Sequence, residues 1–170
     1  ELHGSGGEWK VSQQRVSWDI LRAFQDGAKE FSIHPVDDFN AGNNEGSGFF
    51  EVNQKNGVRW NTTKAFLRPA KNRPNLRIIT EAHTDRIVLD GKRATGVTFR
   101  RKGKSVTVSA NAEVLLTGGA INSPKLLELS GIGNAAVLRD LGIDIQHESQ
   151  GVGENLQDHL QIRTVYKVSN

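Results

Sequence analysis

The stretch TGGAINSPKLLELSGIG, from Thr117 to Gly133, constrains the fold more than any other part of the sequence. It follows the run AEVLL at 112–116, which is apolar without alternation and predicts a buried strand of the parallel type. The glycine pair at 118–119 leaves the main chain bare where this strand gives way to a helix, so a ligand could approach the peptide groups. A purely structural role in a tight turn explains the pair equally well when it is considered alone.

The segments around this stretch predict a mixed fold. Upstream, turns at Asp90-Gly91 and Lys102-Gly103 separate short strand-forming segments, which predicts an antiparallel meander. These segments are LRIIT at 76–80, RIVL at 86–89, GVTFR at 96–100 and SVTVS at 105–109. Downstream, Ser123 and Pro124 predict the start of a short helix over 126–129, with Gly131 as its left-handed stop. A further short helix over 135–141, ended by Gly142, precedes the candidate strand IDIQH at 143–147. The predicted fold class is α/β, in the form of a mixed α+β fragment.

The first part of the chain gives shorter signals. Apolar residues spaced as i, i+4 and i+8 predict a helix over 16–31. FFEVNQ at 49–54 and GVRW at 57–60 predict a hairpin, with its turn at Lys55-Asn56 or Asn56-Gly57. Asn61 or Thr62 is expected to cap a short helix that ends before Pro69.

Composition and charge exclude several classes of function. The formal net charge is only +3, and the longest basic cluster, RRKGK at 100–104, is predicted to be a solvated hairpin tip. No aromatic residues interleave with it, so a nucleic-acid partner is not expected. The absence of cysteine excludes disulfides and thiolate metal sites. No apolar run approaches the ~18 residues of a membrane span. A cytoplasmic location is expected, with peripheral membrane attachment left open.

The polar residues predict neither a catalytic residue nor a metal site. The chain has five histidines, and none has a second histidine at metal-ligand spacing: His3, His34, His83, His147 and His159. Ser123 and Ser130 stand at helix ends rather than in a G-x-S-x-G elbow. The acidic residues show no pair at a defined spacing that would indicate a glycosidase. No G-x-G-x-x-G fingerprint for a dinucleotide occurs.

The stretch GAINSPKLLELSGIG at 119–133 resembles the second signature of the glucose–methanol–choline (GMC) family of flavin-dependent oxidoreductases. Its flanks resemble the choline-dehydrogenase-like branch of that family: HGSGG at 3–7, GVRWNTTKAFLRPA at 57–70, NLRIITEAHTDRIVLDGKRATGV at 75–97 and GVGENLQDHL at 151–160. The similarity covers nearly the whole chain, in order. The chain lacks methionine and starts at Glu1, so we expect it to be an internal piece of a longer protein. The family's N-terminal G-x-G-x-x-G and its C-terminal catalytic histidine do not occur in it.

The resemblance implies FAD as the cofactor of the parent protein and a site for part of it on this chain. In such proteins a meander interrupts the dinucleotide-binding sheet, and the next strand ends in a Thr-Gly pair against the cofactor. The cofactor-binding residues implied are Thr84, whose backbone would contact the adenine, and Thr117, Gly118, Gly119 and Ala120. The loop GENLQDH resembles one near the flavin, with no role assigned to Asn155, Asp158 or His159.

The resemblance also implies a domain organisation and an activity. Residues 1–70 would belong to the substrate domain or cap, residues 71–160 to the FAD-binding domain, and residues 161–170 to the next substrate-domain segment. The parent would oxidise the CH–OH group of a primary alcohol such as choline, with hydride transfer to flavin N5, while the chain alone would be inactive and would bind FAD weakly. The alternative is a non-catalytic binding or interaction module, which an upstream G-x-G-x-x-G in the same reading frame would exclude.

Overall fold

The computed structural model describes residues 3–167 of the chain and divides it into two compact units, Glu1–Ile78 and Ile79–Asn170. Within residues 3–167, no helix is long and apolar enough to cross a membrane. The predicted division into 1–70, 71–160 and 161–170 stays a prediction. Residues 1–2 and 168–170, which belong to the outer two of those segments, lie outside the described residues.

The first unit consists of short elements around two buried alanines, Ala28 and Ala65. Helix α1 begins at Asp19 and ends at Glu30, three residues inside the predicted start, because Trp18 before it is extended. The remaining elements, in chain order, are β1 (Ser12–Gln13), β2 (Glu51–Val52), β3 (Gln54–Lys55), β4 (Val58–Arg59), a π-helical turn (Thr63–Leu67) and α2 (Arg68–Ala70). Strand β1 pairs with β2, and β3 pairs with β4, both antiparallel.

The hairpin turn and the helix cap in this unit agree with the sequence predictions, whereas the predicted end of the helix before Pro69 does not. Asn56 and Gly57 have φ of 53° and 76° between β3 and β4, which confirms the hairpin. The Asn61 carboxamide accepts a hydrogen bond from the Lys64 backbone N–H, so Asn61 caps the following helix. The prediction that this helix ends before Pro69 is wrong. The backbone winds with wider, π-type bonds up to Leu67 and continues to Ala70, with Pro69 in its last turn.

The second unit begins with the predicted antiparallel meander. Its strands are β5 (His83–Asp90), β6 (Arg93–Arg101) and β7 (Lys104–Ser109), in the order β5-β6-β7. Gly91, Lys102 and Gly103 adopt positive φ in the two turns, which confirms the basic cluster as a hairpin tip. LRIIT at 76–80 forms no strand, and Ile78 is about half exposed. That strand prediction is therefore wrong.

The prediction that 112–116 forms a buried strand is also wrong. The segment has no strand partner within residues 3–167, and the Leu115 side chain is 76% exposed. A parallel strand is buried only by neighbours on its edges and faces, and the described residues supply none here. The segment is instead attached at its start, where the Arg93 guanidinium donates to the carbonyl oxygens of Asn111 and Ala112.

The helix after the glycine pair, α3, spans Gly119–Leu129. It begins five residues before Pro124, the predicted first helical position, so Ser123 and Pro124 lie inside the helix and the predicted start is wrong. A proline disfavours the preceding helical turn without excluding it. Gly131 has a φ of 83°, which confirms the left-handed stop. A Cβ at this position would lie 2.3 Å from the Asp144 carbonyl oxygen, so only glycine fits.

The chain then closes a small core beside α3. Strand β8 (Ile132–Gly133) pairs in parallel with β9 (His147–Glu148), and α4 (Ala135–Asp140) lies between them in sequence. Helix α4 agrees with the predicted 135–141 within one residue, and Gly142 after it has a φ of 68°. Leu138 on α4 is fully buried.

Candidate functional site

A groove of the second unit lies between the start of β5, Val97 and Arg100 of β6, the segment 114–118 and one face of α3. Its volume is about 850 Å³, within the range of small-molecule sites. Fifteen residues line it, from four parts of the chain: Ala82, His83, Thr84, Asp85, Val97, Arg100, Val114, Leu115, Leu116, Thr117, Gly118, Asn122, Lys125, Leu126 and Leu129. Seven of these residues have apolar side chains, seven have polar or charged side chains, and Gly118 has none.

The groove brings together three of the five residues that the sequence indicated for the cofactor. Thr84 lies on β5, while Thr117 and Gly118 lie more than thirty positions later in the chain, and all three line the groove. Gly119 and Ala120 form the first two residues of α3. Ala120 lines a separate groove of about 530 Å³ beside the loop 151–156. The geometry therefore groups Thr84 with the Thr-Gly turn, while the binding roles of all five residues stay predictions.

The main chain of the turn has an unusual conformation. Gly118 has φ −77° and ψ −1°, and Gly119 has φ +85°, so φ changes sign between successive residues. Such a change turns consecutive N–H groups toward one side and makes a concave site for negative charge or a carbonyl oxygen. The first N–H groups of α3 also lack acceptors inside the helix. The turn can therefore donate several hydrogen bonds from the backbone alone.

A β-bulge shapes the wall that carries Thr84. The pairing of β5 with β6 shifts register between Thr84 and Arg86, which leaves Asp85 as the extra residue. The Asp85 carboxylate accepts a hydrogen bond of 2.9 Å from Nε of Arg100 on β6. Both residues line the groove. The bulge and this ion pair hold the mouth of the groove at the start of β5.

The opposite wall is one face of α3. Asn122, Lys125, Leu126 and Leu129 follow the spacing i, i+3, i+4 and i+7, so they lie on the same side of the helix. Sequence reasoning did not identify these four residues as site residues, although the helical spacing was present as a signal. With Arg100 and Lys125 the groove carries two cationic side chains against the single carboxylate of Asp85, which suits a ligand with anionic groups.

The loop after β9 gives no reactive cluster. The Asp158 carboxylate accepts a hydrogen bond from the His159 backbone N–H, and Asn155 has a positive φ of 57°. In residues 3–167, no three His, Cys, Asp or Glu side chains come together in a way that could hold a metal ion. The site thus offers main-chain donors, two cations and an apolar lining.

The amino-acid sequence of this chain is similar to a known family of enzymes. The GMC oxidoreductase family model matches residues 7–161. An alcohol dehydrogenase [acceptor] of Pseudomonas putida is 42% identical over 162 residues, which are 94% of this chain and 29% of that protein. An oxygen-dependent choline dehydrogenase of Sinorhizobium fredii is 42% identical over 158 residues, 93% of this chain and 29% of that protein.

A solved structure agrees with these sequence relatives. An FAD-dependent oxidoreductase from Chaetomium thermophilum superposes with a TM-score of 0.82 at 29% identity, covering 87% of this chain and 26% of that one. The chain belongs to the GMC oxidoreductase family. It spans about 29% of the length of the curated relatives that it matches.

Proposed function

We propose that this chain is part of an FAD-dependent oxidoreductase that acts on the CH–OH group of primary alcohols, with choline-like alcohols as the substrate class. The observation that carries the proposal is the groove in which Thr84 and the Thr117-Gly118 turn lie together. The sequence relatives include an alcohol dehydrogenase and a choline dehydrogenase.

The residues of the groove fit a part of FAD. The concave turn at Gly118 and Gly119 offers N–H donors, of the kind that bind phosphate or carbonyl oxygens. Thr84 lines the groove, and the apolar side chains of Val97, Leu126 and Leu129 suit a flat ring system. Gly118 permits close approach because it places no side chain between the ligand and the peptide groups.

In this proposal the chain binds and orients the cofactor. FAD, when bound, supplies the acceptor for the hydride removed from the alcohol. The backbone of Thr117 to Ala120 fixes one part of the cofactor by hydrogen bonds, and Thr84 fixes another through its main chain. The exposed cations Arg100 and Lys125 favour the negatively charged cofactor at the groove mouth. We assign no catalytic residue to this chain, and we assign residues 71–160 to the cofactor-binding part of the enzyme and residues 1–70 and 161–170 to its substrate side.

The test uses the full-length gene product that contains this chain. We expect the purified protein to be yellow, with a flavin absorption spectrum that choline or another primary alcohol bleaches without oxygen. A folded, colourless protein that does not respond to alcohols would contradict the proposal. A yellow protein that is bleached by a different class of CH–OH substrate would retain the cofactor assignment and refute the choline-like class.

A further inference from the structure

Ser130 is the buried polar side chain of the second unit, with 7% of its surface exposed. Its hydroxyl makes two hydrogen bonds to the main chain. It accepts one of 2.8 Å from the backbone N–H of Ile87 on β5, and it donates one of 2.6 Å to the Leu126 carbonyl oxygen on α3. One hydroxyl therefore joins β5 to the end of α3. Ile87 and Ser130 themselves are 43 residues apart in sequence.

The Ser130 hydroxyl accepts the hydrogen bond that a neighbouring strand would otherwise accept from the Ile87 N–H. Strand β5 is at the edge of the meander, so the N–H groups on its outer side have no neighbouring strand to bond within residues 3–167. Ile87 is buried, and its N–H would be unsatisfied without an acceptor. The Ser130 hydroxyl supplies that acceptor at the point where α3 ends.

The two elements that Ser130 joins are the two walls of the groove. Thr84 lies three residues before Ile87 on β5, and Leu126 lies on the lining face of α3. The Ser130 hydroxyl, which bonds to an element of each wall, does not itself line the groove. We propose that Ser130 is a positioning residue for the cofactor, because it holds the main chain of Thr84 at a fixed distance from α3 and from the turn that precedes it. This inference rests on the proposed function of the groove.

The experiment measures FAD affinity in the full-length gene product. The flavin is removed, and FAD is titrated back with flavin fluorescence as the readout for the wild type and for Ser130→Ala, Ser130→Thr and Leu138→Ala. Ser130→Ala removes both hydrogen bonds, whereas Ser130→Thr keeps a hydroxyl at the same atom. Leu138→Ala is the control, since it weakens the core of the same unit at a fully buried residue that does not line the groove.

We expect Ser130→Ala to bind FAD about tenfold more weakly, because both hydrogen bonds and the spacing that they hold are lost together. Ser130→Thr should stay within about threefold of the wild type, and Leu138→Ala within about twofold at a temperature well below its melting point. If Ser130→Ala does not fold, Ser130→Cys replaces it, because the thiol fills the site, although sulfur is larger than oxygen, and makes only weak hydrogen bonds.

Two results would overturn the inference while leaving the proposed function intact. A folded Ser130→Ala protein with wild-type FAD affinity would show that Ser130 does not position the site. Equal weakening by Ser130→Ala and Leu138→Ala would show that the effect follows general stability. A wild-type protein that takes up no FAD would refute the proposed function itself, and the inference with it.

Discussion

Replacing Gly119 by alanine tests the turn at the start of α3 most directly. Gly119 has φ +85°, a conformation that costs an L-residue about 1–2 kcal/mol. A Cβ at this position would meet no atom within 4 Å, so the backbone conformation is the whole cost. Alanine also has less conformational freedom than glycine in the unfolded chain, and this raises the stability of the folded state by about 0.4–1 kcal/mol. The net loss of stability is therefore about 1 kcal/mol.

Gly91 provides a matched control. It has φ +56° in the turn between β5 and β6, and a Cβ there would also meet no atom within 4 Å. It does not line the groove. Gly91→Ala should therefore lose about the same stability as Gly119→Ala, and urea unfolding should show both midpoints lowered by roughly 0.3–1 M.

The two variants should differ in their affinity for FAD. In Gly119→Ala part of the strain remains and lowers stability, and the rest is relieved as the backbone rotates toward a helical φ, which turns the N–H groups of the turn away from their common direction. Binding must then restore the strained conformation, so we expect Gly119→Ala to weaken FAD binding by about 5–30-fold in the full-length gene product. Gly91→Ala should leave the affinity within about twofold. Equal FAD affinities for the two variants would refute the reasoning, and so would a Gly119→Ala protein as stable as the wild type.

Three further predictions concern the core, the first unit and the isolated chain. Leu138→Ala should lower the free energy of unfolding by about 2–5 kcal/mol in a urea titration, because Leu138 is fully buried; a loss below about 1 kcal/mol would contradict the packing. The pKa of His3 is raised above 6.5 by its hydrogen bond to Asp38 and by that carboxylate's charge, so any stability from the contact is complete below pH 6.5 and is lost as pH rises through the raised pKa. An NMR titration should show the His3 pKa falling toward 6.5 in Asp38→Asn, and an unchanged value would refute the contact. The isolated 170-residue chain should bind FAD with a dissociation constant in the millimolar range or weaker. Two or three neutral hydrogen bonds at ~0.5–1.5 kcal/mol each do not offset an association cost of at least ~4 kcal/mol. Calorimetry checks this, and low micromolar binding would contradict it.

The parts of the fold that the sequence predicted are those decided by neighbouring residues. The turns at Asn56-Gly57 and Lys102-Gly103 and the helix stop at Gly131 depend on a positive φ, and glycine or asparagine indicates that conformation locally. The meander was predicted for the same reason, since its strands are consecutive and joined by such turns. Local chemistry was sufficient in these places.

The segment 112–116 and the start of α3 show where local reasoning fails. An apolar run describes what a strand would bury, but its pairing depends on partners far away in the chain, and none is present in residues 3–167. The proline at 124 suggested a helix start, while the helix already begins at Gly119. The bond from Ile87 to Ser130 joins residues 43 positions apart, and no periodicity predicts it.

The candidate site is built mainly from main-chain groups, and this explains why the sequence indicated it through glycines instead of reactive side chains. A peptide N–H is present at nearly every residue, so only its exposure and direction make a site. Those two properties depend on the absence of a side chain at Gly118 and on the positive φ at Gly119. Conversely, the residues that set the spacing of the site, such as Ser130, act through backbone atoms of other elements. Alanine substitution of the lining side chains should therefore change cofactor affinity less than substitution of Gly119 or Ser130, neither of which lines the groove.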